Sequence, residues 1–322
     1  MQFRNGHARP EQPETPAPDA FEIHKARVRD ELEIAFIREG VGGYPLLLVH
    51  GWPETKRIWW RNIRPLAEAG FEVIVPDLRG YGDSDLSPTD KYDVVEYSRD
   101  LHALVHAVLG HGRCAVAAGD VGGVVILDMA LRFGEFVERL CFFNSVPPFL
   151  GEVYQQAGLD PNAMLRDATG DYRIWQGERP DELIKKLDTE QRRRDWVASM
   201  YGPRLWAVPD AFTDADVDFM TEPYAPAEKM MASWAPYQLA SGRRASSELP
   251  RLMERVETLT LVLYGPEDHV ISDDFVSRCE LAFPNRIGPL VVPCAGHFLQ
   301  WERADIFNAT LSWCFRDLVL GR

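Results

Sequence analysis

The sequence lacks a long apolar run and has few basic residues for its length. No uninterrupted apolar stretch reaches the roughly 18 residues that a membrane-spanning helix requires. The N-terminal residues also lack the apolar region of a secretory signal. The 35 basic residues against 49 acidic ones give a net charge of −14. We therefore expect a cytoplasmic protein that binds neither membranes nor nucleic acid.

Cysteine is scarce, and the motifs of common cofactor sites are missing. The five cysteines are scattered and lie mostly within apolar segments, which indicates reduced core thiols. They form no disulfide framework and no CxxC metal site, and there is no HExxH motif. Neither GxGxxG nor a P-loop occurs. We therefore expect no metal and no nucleotide or other cofactor.

The sequence does contain an alternation of strand-like and helical segments. Residues 21–40 hold two alternating stretches, which predict a β-hairpin. Short, continuous apolar runs predict strands buried on both faces, at 46–51, 71–77, 114–120, 137–145, 259–265 and 289–296. Helical spacing lies between most of them. This alternation predicts a parallel sheet with crossover helices.

The alternation stops near Pro147 and resumes near residue 259. Residues 148–249 are rich in Trp, Tyr, Met and charge, with helical pieces and no strong strand. We predict a helical cap at 148–249, inserted into one α/β core made of residues 21–147 and 250–322. Residues 1–20 carry four prolines between positions 10 and 18, which predicts a disordered or draped tail.

The strongest local signal is Gly119-Asp120-Val121-Gly122-Gly123, placed directly between a predicted strand and a predicted helix. Small residues on both sides of one polar residue are what a nucleophile elbow requires, because the turn is tight and strained. The usual motif has serine where this chain has Asp120. A simpler interpretation of the pentapeptide alone is an aspartate that caps the helix, with glycines that serve only the turn.

Two further polar residues follow later strands. Asp268 comes after the strand at 259–265, in Gly265-Pro266-Glu267-Asp268, and His297 comes after the strand at 289–296. Functional residues of α/β sheets collect at such strand ends. The order nucleophile, acid, histidine is the order of the α/β-hydrolase triad. Together the three residues predict a catalytic triad in which Asp120 is the nucleophile.

His50-Gly51-Trp52-Pro53, at the end of the first buried strand, supplies what such a nucleophile needs. A turn here can direct the Trp52 backbone N–H towards Asp120, and the Val121 N–H would be the second donor. Such donors stabilise an oxyanion by roughly 3–4 kcal/mol each. The alternative is a plain strand-to-loop turn.

At this point the sequence resembles a known family. HGWPE, DLRGYGDSD (77–85), GDVGG, GPED and CAGHFLQWE together are similar to motifs of the α/β-hydrolase epoxide hydrolases and of the related haloalkane and haloacetate dehalogenases. The resemblance covers roughly residues 21–147 and 250–320, and only loosely the cap. It implies an α/β-hydrolase fold, with a mostly parallel eight-stranded sheet flanked by helices and an inserted cap. It also implies that Asp120 is the nucleophile, His297 the base and Asp268 its orienting acid.

Carboxylate chemistry explains the aspartate. Epoxides and alkyl halides present an sp3 carbon, and attack by serine would give an ether that water cannot readily cleave. Attack by Asp120 gives an ester, which water activated by His297 can hydrolyse at the enzyme's own carbonyl carbon. Asp268 would hold the imidazole tautomer.

Opening an epoxide also requires an acid, which this family generally supplies from two cap tyrosines. Tyr237 matches the second of these. For the first, the sequence offers Tyr172 and then Trp175, and by spacing Trp175 takes the usual place. An indole N–H is no proton donor comparable to a phenol. Tyr154 and Tyr201 are fallback candidates, and Trp52 and Trp175 are expected to bind substrate.

These features predict a cofactor-independent epoxide hydrolase that converts a small apolar epoxide and water to a vicinal diol, as a monomer or homodimer. Dehalogenation by the same aspartate is the alternative. Val121 stands where haloalkane dehalogenases usually carry Trp, and VGGVVIL lacks the arginines of haloacetate dehalogenases, so both absences favour the epoxide. A non-catalytic ligand-binding protein on the same scaffold is a third interpretation.

Overall fold

The computed structural model describes residues 12–29, 31–166, 170–202 and 207–321. Of the predicted tail, residues 1–11 therefore lie outside the described residues. Residues 12–20 lie against the core, where the indole N–H of Trp60 donates to the Ala17 carbonyl (3.2 Å) and Arg61 donates to the Thr15 hydroxyl (2.8 Å).

An eight-stranded sheet forms the centre of the molecule, in the order β1-β2-β4-β3-β5-β6-β7-β8. β1 and β2 form the predicted hairpin, and β2 is also antiparallel to β4, whereas all other neighbours are parallel. The strands are β1 (His24–Arg29), β2 (Leu32–Glu39), β3 (Tyr44–Val49), β4 (Phe71–Pro76), β5 (Cys114–Ala118), β6 (Val137–Phe143), β7 (Thr260–Tyr264) and β8 (Arg286–Val291). The prediction of a mostly parallel eight-stranded sheet is confirmed.

Burial explains why the parallel strands are uniformly apolar. Every residue of β4, β5 and β7 is buried, because helices cover both faces of the sheet. β8, at the edge, is only partly buried. It begins before the predicted strand at 289–296 and also ends before residue 296. The strand ends early because Pro293 has no N–H to donate and Cys294 has a left-handed backbone (φ 60°).

Helices fill the connections of the core. They are α1 (Ile63–Glu68), α2 (Val94–His102), α3 (Asp120–Arg132), α11 (Phe275–Ala282), α12 (Leu299–Glu302), α13 (Ala304–Cys314) and α14 (Arg316–Val319). α2 continues as a π-helix, Ala103–Val108, and a 3-10 helix spans Lys56–Trp59. The last three of these helices, α12 to α14, follow one another directly at the C-terminal end of the core. None of the described helices combines the length and apolarity needed to cross a bilayer.

Between β6 and β7 the described residues form helices and contribute no strand to the sheet. These helices are α4 (Gly151–Gln156), α5 (Gly170–Glu178), α6 (Pro180–Lys186), α7 (Glu190–Ala198), α8 (Asp214–Thr221), α9 (Ala227–Ser233) and α10 (Ala235–Ala240). Two 3-10 turns, Ser199–Tyr201 and Glu222–Tyr224, join them. We call this segment the helical insertion; its treatment as a separate cap with boundaries at 148 and 249 stays a prediction.

The turn between β5 and α3 is crowded by its neighbours. A side-chain carbon at Gly122 would lie 2.6 Å from the His50 carbonyl oxygen and 2.8 Å from the Val49 carbonyl oxygen. Gly119 and Gly123 are similarly confined by β6 and the residues after it. Glycine is therefore required here for close approach of α3 to the end of β3, which brings Asp120 next to the loop after β3.

We expect Gly122→Ala to destabilise the fold by about 1–3 kcal/mol, because the new methyl group overpacks two backbone carbonyls that cannot move freely. This loss exceeds the roughly 1 kcal/mol that alanine gains over glycine in a helix. Urea unfolding followed by circular dichroism measures it. Gly112→Ala is the matched control, because nothing lies within 4 Å of a carbon placed there. Equal stability of both variants would contradict the close-approach argument.

Candidate active site

The structure brings Asp120, Asp268 and His297 together at the carboxyl ends of β5, β7 and β8. His297 Nδ1 lies 2.9 Å from Asp268 Oδ2, and His297 Nε2 lies 3.1 Å from Asp120 Oδ2. Asp268 is fully buried, and its Oδ1 accepts the backbone N–H groups of Val270 (2.6 Å) and Ile271 (3.2 Å). The acid is therefore held rigidly and can hold the imidazole in turn.

Asp120 is the first residue of α3 and has a left-handed backbone, with φ 44°. Its N–H donates to the Asn144 carbonyl (3.0 Å), and its own carbonyl accepts the Ser145 hydroxyl (2.5 Å). Residues other than glycine rarely adopt this conformation, and they persist in it only where the surroundings enforce it. Together with the flanking glycines, this geometry is what a nucleophile elbow requires, and the role of Asp120 as nucleophile stays a prediction.

His297 is buried between two carboxylates. Burial by itself would lower the pKa of His297, but Asp268 and Asp120 outweigh burial and raise its pKa well above the ordinary value. The two carboxylates therefore favour the protonated imidazole. Neutralising Asp120 would remove part of this stabilisation, lower the pKa of His297 and leave its imidazole free to accept a proton.

The loop after β3 supplies a backbone donor to Asp120. The Trp52 N–H donates to Asp120 Oδ1 at 2.6 Å. Gly51 permits this approach, because a side-chain carbon at that position would overlap the Asp120 carboxylate. Val121 follows Asp120 in the chain and, like Asp120, lines a cavity that is described below. Its N–H as a second donor stays a prediction.

Two tyrosines from the helical insertion line the same cavity as Asp120. Tyr172 on α5 and Tyr237 on α10 pack edge to face, with ring centroids 5.6 Å apart, and a hydrogen bond joins their side chains. Burial raises the pKa of both hydroxyls, and the Asp120 carboxylate adds to the shift. Both tyrosines are therefore protonated at neutral pH and can donate hydrogen bonds towards the space above Asp120.

This space is a cavity of about 800 Å³. Asp120, Tyr172 and Tyr237 belong to its wall, and most of the remaining wall is apolar, with contributions from Val124, Val146, Leu165, Leu252, Val270 and Ile271. Pockets of this size hold ligands as large as drug molecules. The Asp120 carboxylate and two phenols thus face a largely apolar space.

Four aromatic residues that the sequence offered for the site do not line the cavity. Trp175 points away from the cavity wall, and its ring instead packs under Lys186, whose Nζ is 3.8 Å from the ring centroid. Tyr172 therefore takes the place beside Tyr237, because α5 turns that face towards the nucleophile. The Tyr154 and Tyr201 hydroxyls donate to the backbone carbonyls of Pro148 (2.7 Å) and Pro53 (2.6 Å), which makes both structural.

The fourth residue is Trp52. Its side chain is fully buried and is not among the residues that line the cavity. Its indole stacks on Tyr172 at 5.7 Å, contacts Tyr237 edge to face at 5.3 Å, and donates to the Ser233 hydroxyl (3.1 Å). Trp52 thus offers its backbone N–H to the nucleophile and its ring as a support for both tyrosines.

Sequence reasoning missed Glu54, a buried carboxyl beside the site. It accepts the Gly51 N–H at 2.6 Å and the Gln300 side-chain amide at 2.8 Å. Burial, and then the nearby Asp120 carboxylate, raise the pKa of Glu54 to about 7. The signal available in the sequence was its place in HGWPE, directly after the oxyanion turn.

Two other residues that the sequence did not single out hold the catalytic loops. The Glu302 carboxylate accepts the N–H groups of Gly296 (3.0 Å) and Phe298 (2.9 Å), on either side of His297. The Asn144 side chain accepts the Gly265 N–H (2.9 Å) and donates to the Gly296 carbonyl (2.7 Å). These bonds set the acid loop and the histidine loop relative to the nucleophile.

Within the part of the chain that the structure describes, no three His, Cys, Asp or Glu side chains are grouped so that they could hold a metal ion. His50 likewise has a structural place. It is fully buried, its Nε2 accepts the Leu78 N–H (3.0 Å), and burial lowers its pKa.

Comparison with known proteins agrees with this architecture. The profile of the α/β hydrolase fold family matches residues 44–304. A soluble epoxide hydrolase of Corynebacterium sp. (strain C12) is 40% identical over 107 residues, which are 33% of this chain and 36% of that protein. Epoxide hydrolase 4 of Mus musculus is 24% identical over 292 residues, 90% of this chain and 78% of that protein.

Among solved structures, the epoxide hydrolase CorEH without ligand superposes with a TM-score of 0.75 at 21% identity. The match covers 92% of this chain and 99% of that one. At this level of identity the likeness shows the fold alone, and the chemistry has to be argued from the site itself.

We expect Glu54 to take up a proton near pH 7 in the folded protein. Its pKa is raised, so the carboxyl is neutral below this pH and ionised above it, whereas an ordinary glutamate would ionise near pH 4.3. An infrared titration of the wild type against Glu54→Gln measures the protonated carboxyl band. Gln fits the site, because the Gln300 Oε1 has no partner among the described residues and can accept the new amide. A difference band that titrates near pH 4 would contradict the expectation.

Proposed function

We propose that this chain, which belongs to the α/β-hydrolase fold family, is an epoxide hydrolase that opens an epoxide to a vicinal diol through an ester on Asp120. One observation carries the proposal: the Asp120 carboxylate lies between the Trp52 N–H and His297 and shares its cavity with Tyr172 and Tyr237. The relatives named as epoxide hydrolases support the same activity.

In the first step, Asp120 attacks one epoxide carbon. The Trp52 N–H holds Oδ1, so Oδ2 forms the new bond to carbon while the carbon–oxygen bond of the epoxide breaks. The departing oxygen takes a proton from Tyr172 or Tyr237. Two phenols that share a hydrogen bond can stabilise the alkoxide as it forms, as general acids do.

In the second step, water hydrolyses the ester. Alkylation neutralises Asp120, which removes one of the two carboxylates that raise the pKa of His297. The imidazole of His297 then releases its proton to solvent and becomes a neutral base. It takes a proton from water, the hydroxide adds to the Asp120 carbonyl carbon, and the Trp52 N–H stabilises the oxyanion. Collapse releases the diol and restores the carboxylate, and the His297 proton returns to the tyrosinate. The balance is one epoxide and one water to one diol.

The tyrosine pair distinguishes this reaction from dehalogenation by the same nucleophile. A leaving halide needs no proton, whereas a leaving alkoxide does. Two buried, protonated phenols at the nucleophile therefore support an oxygen leaving group. An indole N–H next to the nucleophile, which would favour a halide, is replaced by Val121.

A single turnover in oxygen-18 water should place label in the Asp120 carboxylate, because water attacks the ester at its carbonyl carbon. Mass spectrometry of the peptide that contains Asp120 measures the label after one equivalent of styrene oxide. His297→Gln should trap the ester, seen as a mass increase equal to that of the substrate. Label found only in the diol would contradict the ester intermediate, and halide release from haloalkanes without diol formation would favour dehalogenation.

We expect Tyr172→Phe or Tyr237→Phe to lower the rate of ester formation by about tenfold each, because one phenol remains. The double variant should lose about 10²- to 10⁴-fold, the range for general acid catalysis. Stopped-flow tryptophan fluorescence under single-turnover conditions measures the rate. Tyr154→Phe and Tyr201→Phe are matched controls, since their hydroxyls donate only to backbone carbonyls, and they should leave it unchanged. Equal effects of all four substitutions would contradict a catalytic role.

A further inference from the structure

The acid loop, residues 265–274, joins β7 to α11 and carries Asp268. The core holds the start of this loop, where the Asn144 side chain accepts the backbone N–H of its first residue (2.9 Å). The second half of the loop supplies the N–H groups of Val270 and Ile271 that fix the Asp268 carboxylate. The position of the acid therefore depends on what holds this second half.

The second half of the acid loop is paired with the helical insertion. Residues 164–166, which we call the pairing segment, form an antiparallel bridge with it. The Arg166 N–H donates to the Val270 carbonyl (2.9 Å), and the Ser272 N–H donates back to the segment (3.2 Å). Val270 thus donates its N–H to Asp268 and accepts the Arg166 N–H at its carbonyl.

The Arg166 side chain spans the acid loop. Its Nε donates to the Ile271 carbonyl (2.9 Å), and its guanidinium forms an ion pair with Asp273. A side-chain hydrogen bond also joins Arg166 to Tyr264, the last residue of β7. A guanidinium suits this place, because its donors are fixed in a planar fork and can bind several groups at once. One side chain from the helical insertion thus contacts residues at both ends of the loop that carries the acid.

The same residue contacts the helix that carries Tyr172. The Arg166 carbonyl accepts a hydrogen bond from Nη2 of Arg173 (3.1 Å), which follows Tyr172 on α5. Leu165 and Ile271, which face each other in the bridge, both line the cavity. The pairing segment therefore lies between the acid loop, the cavity and the helix of the first tyrosine.

Building on the proposed epoxide opening, we propose that Arg166 is a positioning residue. Its guanidinium holds the second half of the acid loop so that Asp268 stays aligned with His297 while the ester is hydrolysed. Hydrolysis depends on this alignment, because a misplacement of about 1 Å can slow a reaction by about 10²-fold. Ester formation depends instead on Asp120, the Trp52 N–H and the tyrosine pair, so it should respond much less.

Arg166→Met removes the guanidinium and keeps the backbone pairing. The rate of ester hydrolysis at its alkaline plateau should fall by about 10- to 100-fold, whereas the rate of ester formation should change much less. Stopped-flow tryptophan fluorescence under single-turnover conditions separates the two rates. Arg166→Lys keeps the charge without the fork and should recover part of the hydrolysis rate. If Arg166→Met does not fold, the smaller loss of hydrolysis in Arg166→Lys provides the test.

The pH dependence is a readout that a purely structural role would not change. Asp268 raises the pKa of His297, and hydrolysis needs the neutral form of His297. A looser acid loop weakens this contact and lowers the pKa, so the acid limb of the hydrolysis rate should move to lower pH in Arg166→Met. Equal slowing of both steps without such a movement would assign Arg166 to the stability of the fold and overturn the proposal. Unchanged hydrolysis would overturn it as well.

Arg251→Met is the matched control. The Arg251 guanidinium also donates to a backbone carbonyl, that of Leu131 (2.9 Å), and its neighbours Pro250 and Leu252 also line the cavity. Its removal should change neither rate nor the acid limb. A loss of hydrolysis equal to that in Arg166→Met would show that any arginine beside the cavity has this effect, and would overturn the proposal.

The resting enzyme separates this proposal from the proposed reaction. In protein labelled with nitrogen-15 histidine, the proton between His297 Nδ1 and Asp268 gives a low-field NMR signal, and its titration reports the pKa of His297. Arg166→Met should weaken this signal and lower that pKa, and Arg251→Met should leave both unchanged. These changes together with no diol from any epoxide would overturn the proposed reaction and support the role of Arg166. Diol formation with an unchanged signal and unchanged hydrolysis in Arg166→Met would overturn the role of Arg166 alone.

Discussion

The active site depends on one constraint: Asp120 must begin α3 with a left-handed backbone directly after β5. That conformation directs its carboxylate out of the sheet, between the Trp52 N–H and His297. The N–H bond to the Asn144 carbonyl and the close approach of Gly122 to the end of β3 hold it there. A side-chain carbon at Gly122 would push α3 away from β3 and so move the Asp120 carboxylate away from the Trp52 N–H.

The charged groups around this turn are placed so that each step of the proposed reaction can use them. His297 lies between Asp268 and Asp120, and the two carboxylates raise its pKa despite burial. In the proposed cycle the ester neutralises Asp120, so the chemistry of the first step itself prepares the base for the second. Glu54 is a further ionisable group beside the site, and the Asp120 carboxylate helps to raise its pKa to about 7. Glu54 also accepts the N–H of Gly51, the residue before Trp52.

Local pattern was enough for the parts of the site carried by strands. The apolar runs that became β3, β5 and β7 are each followed by a residue that the sequence had singled out. These residues meet because parallel strands bring their carboxyl ends to one edge of the sheet. Helix packing could not be inferred in this way. Spacing favoured Trp175 as the neighbour of Tyr237, but the rotation of α5 turned Tyr172 to the cavity and Trp175 to Lys186.

The sequence by itself therefore determined the α/β architecture, the aspartate at the elbow and the order of the triad, since these follow from short motifs at predictable strand ends. Tertiary structure alone decided which tyrosines meet, that the Trp52 ring supports them, and that Glu54, Glu302 and Asn144 hold the catalytic loops. It also placed Arg166 against the acid loop. These choices depend on contacts between segments far apart in the chain, whose relative orientation is set by packing and leaves no local periodic signal.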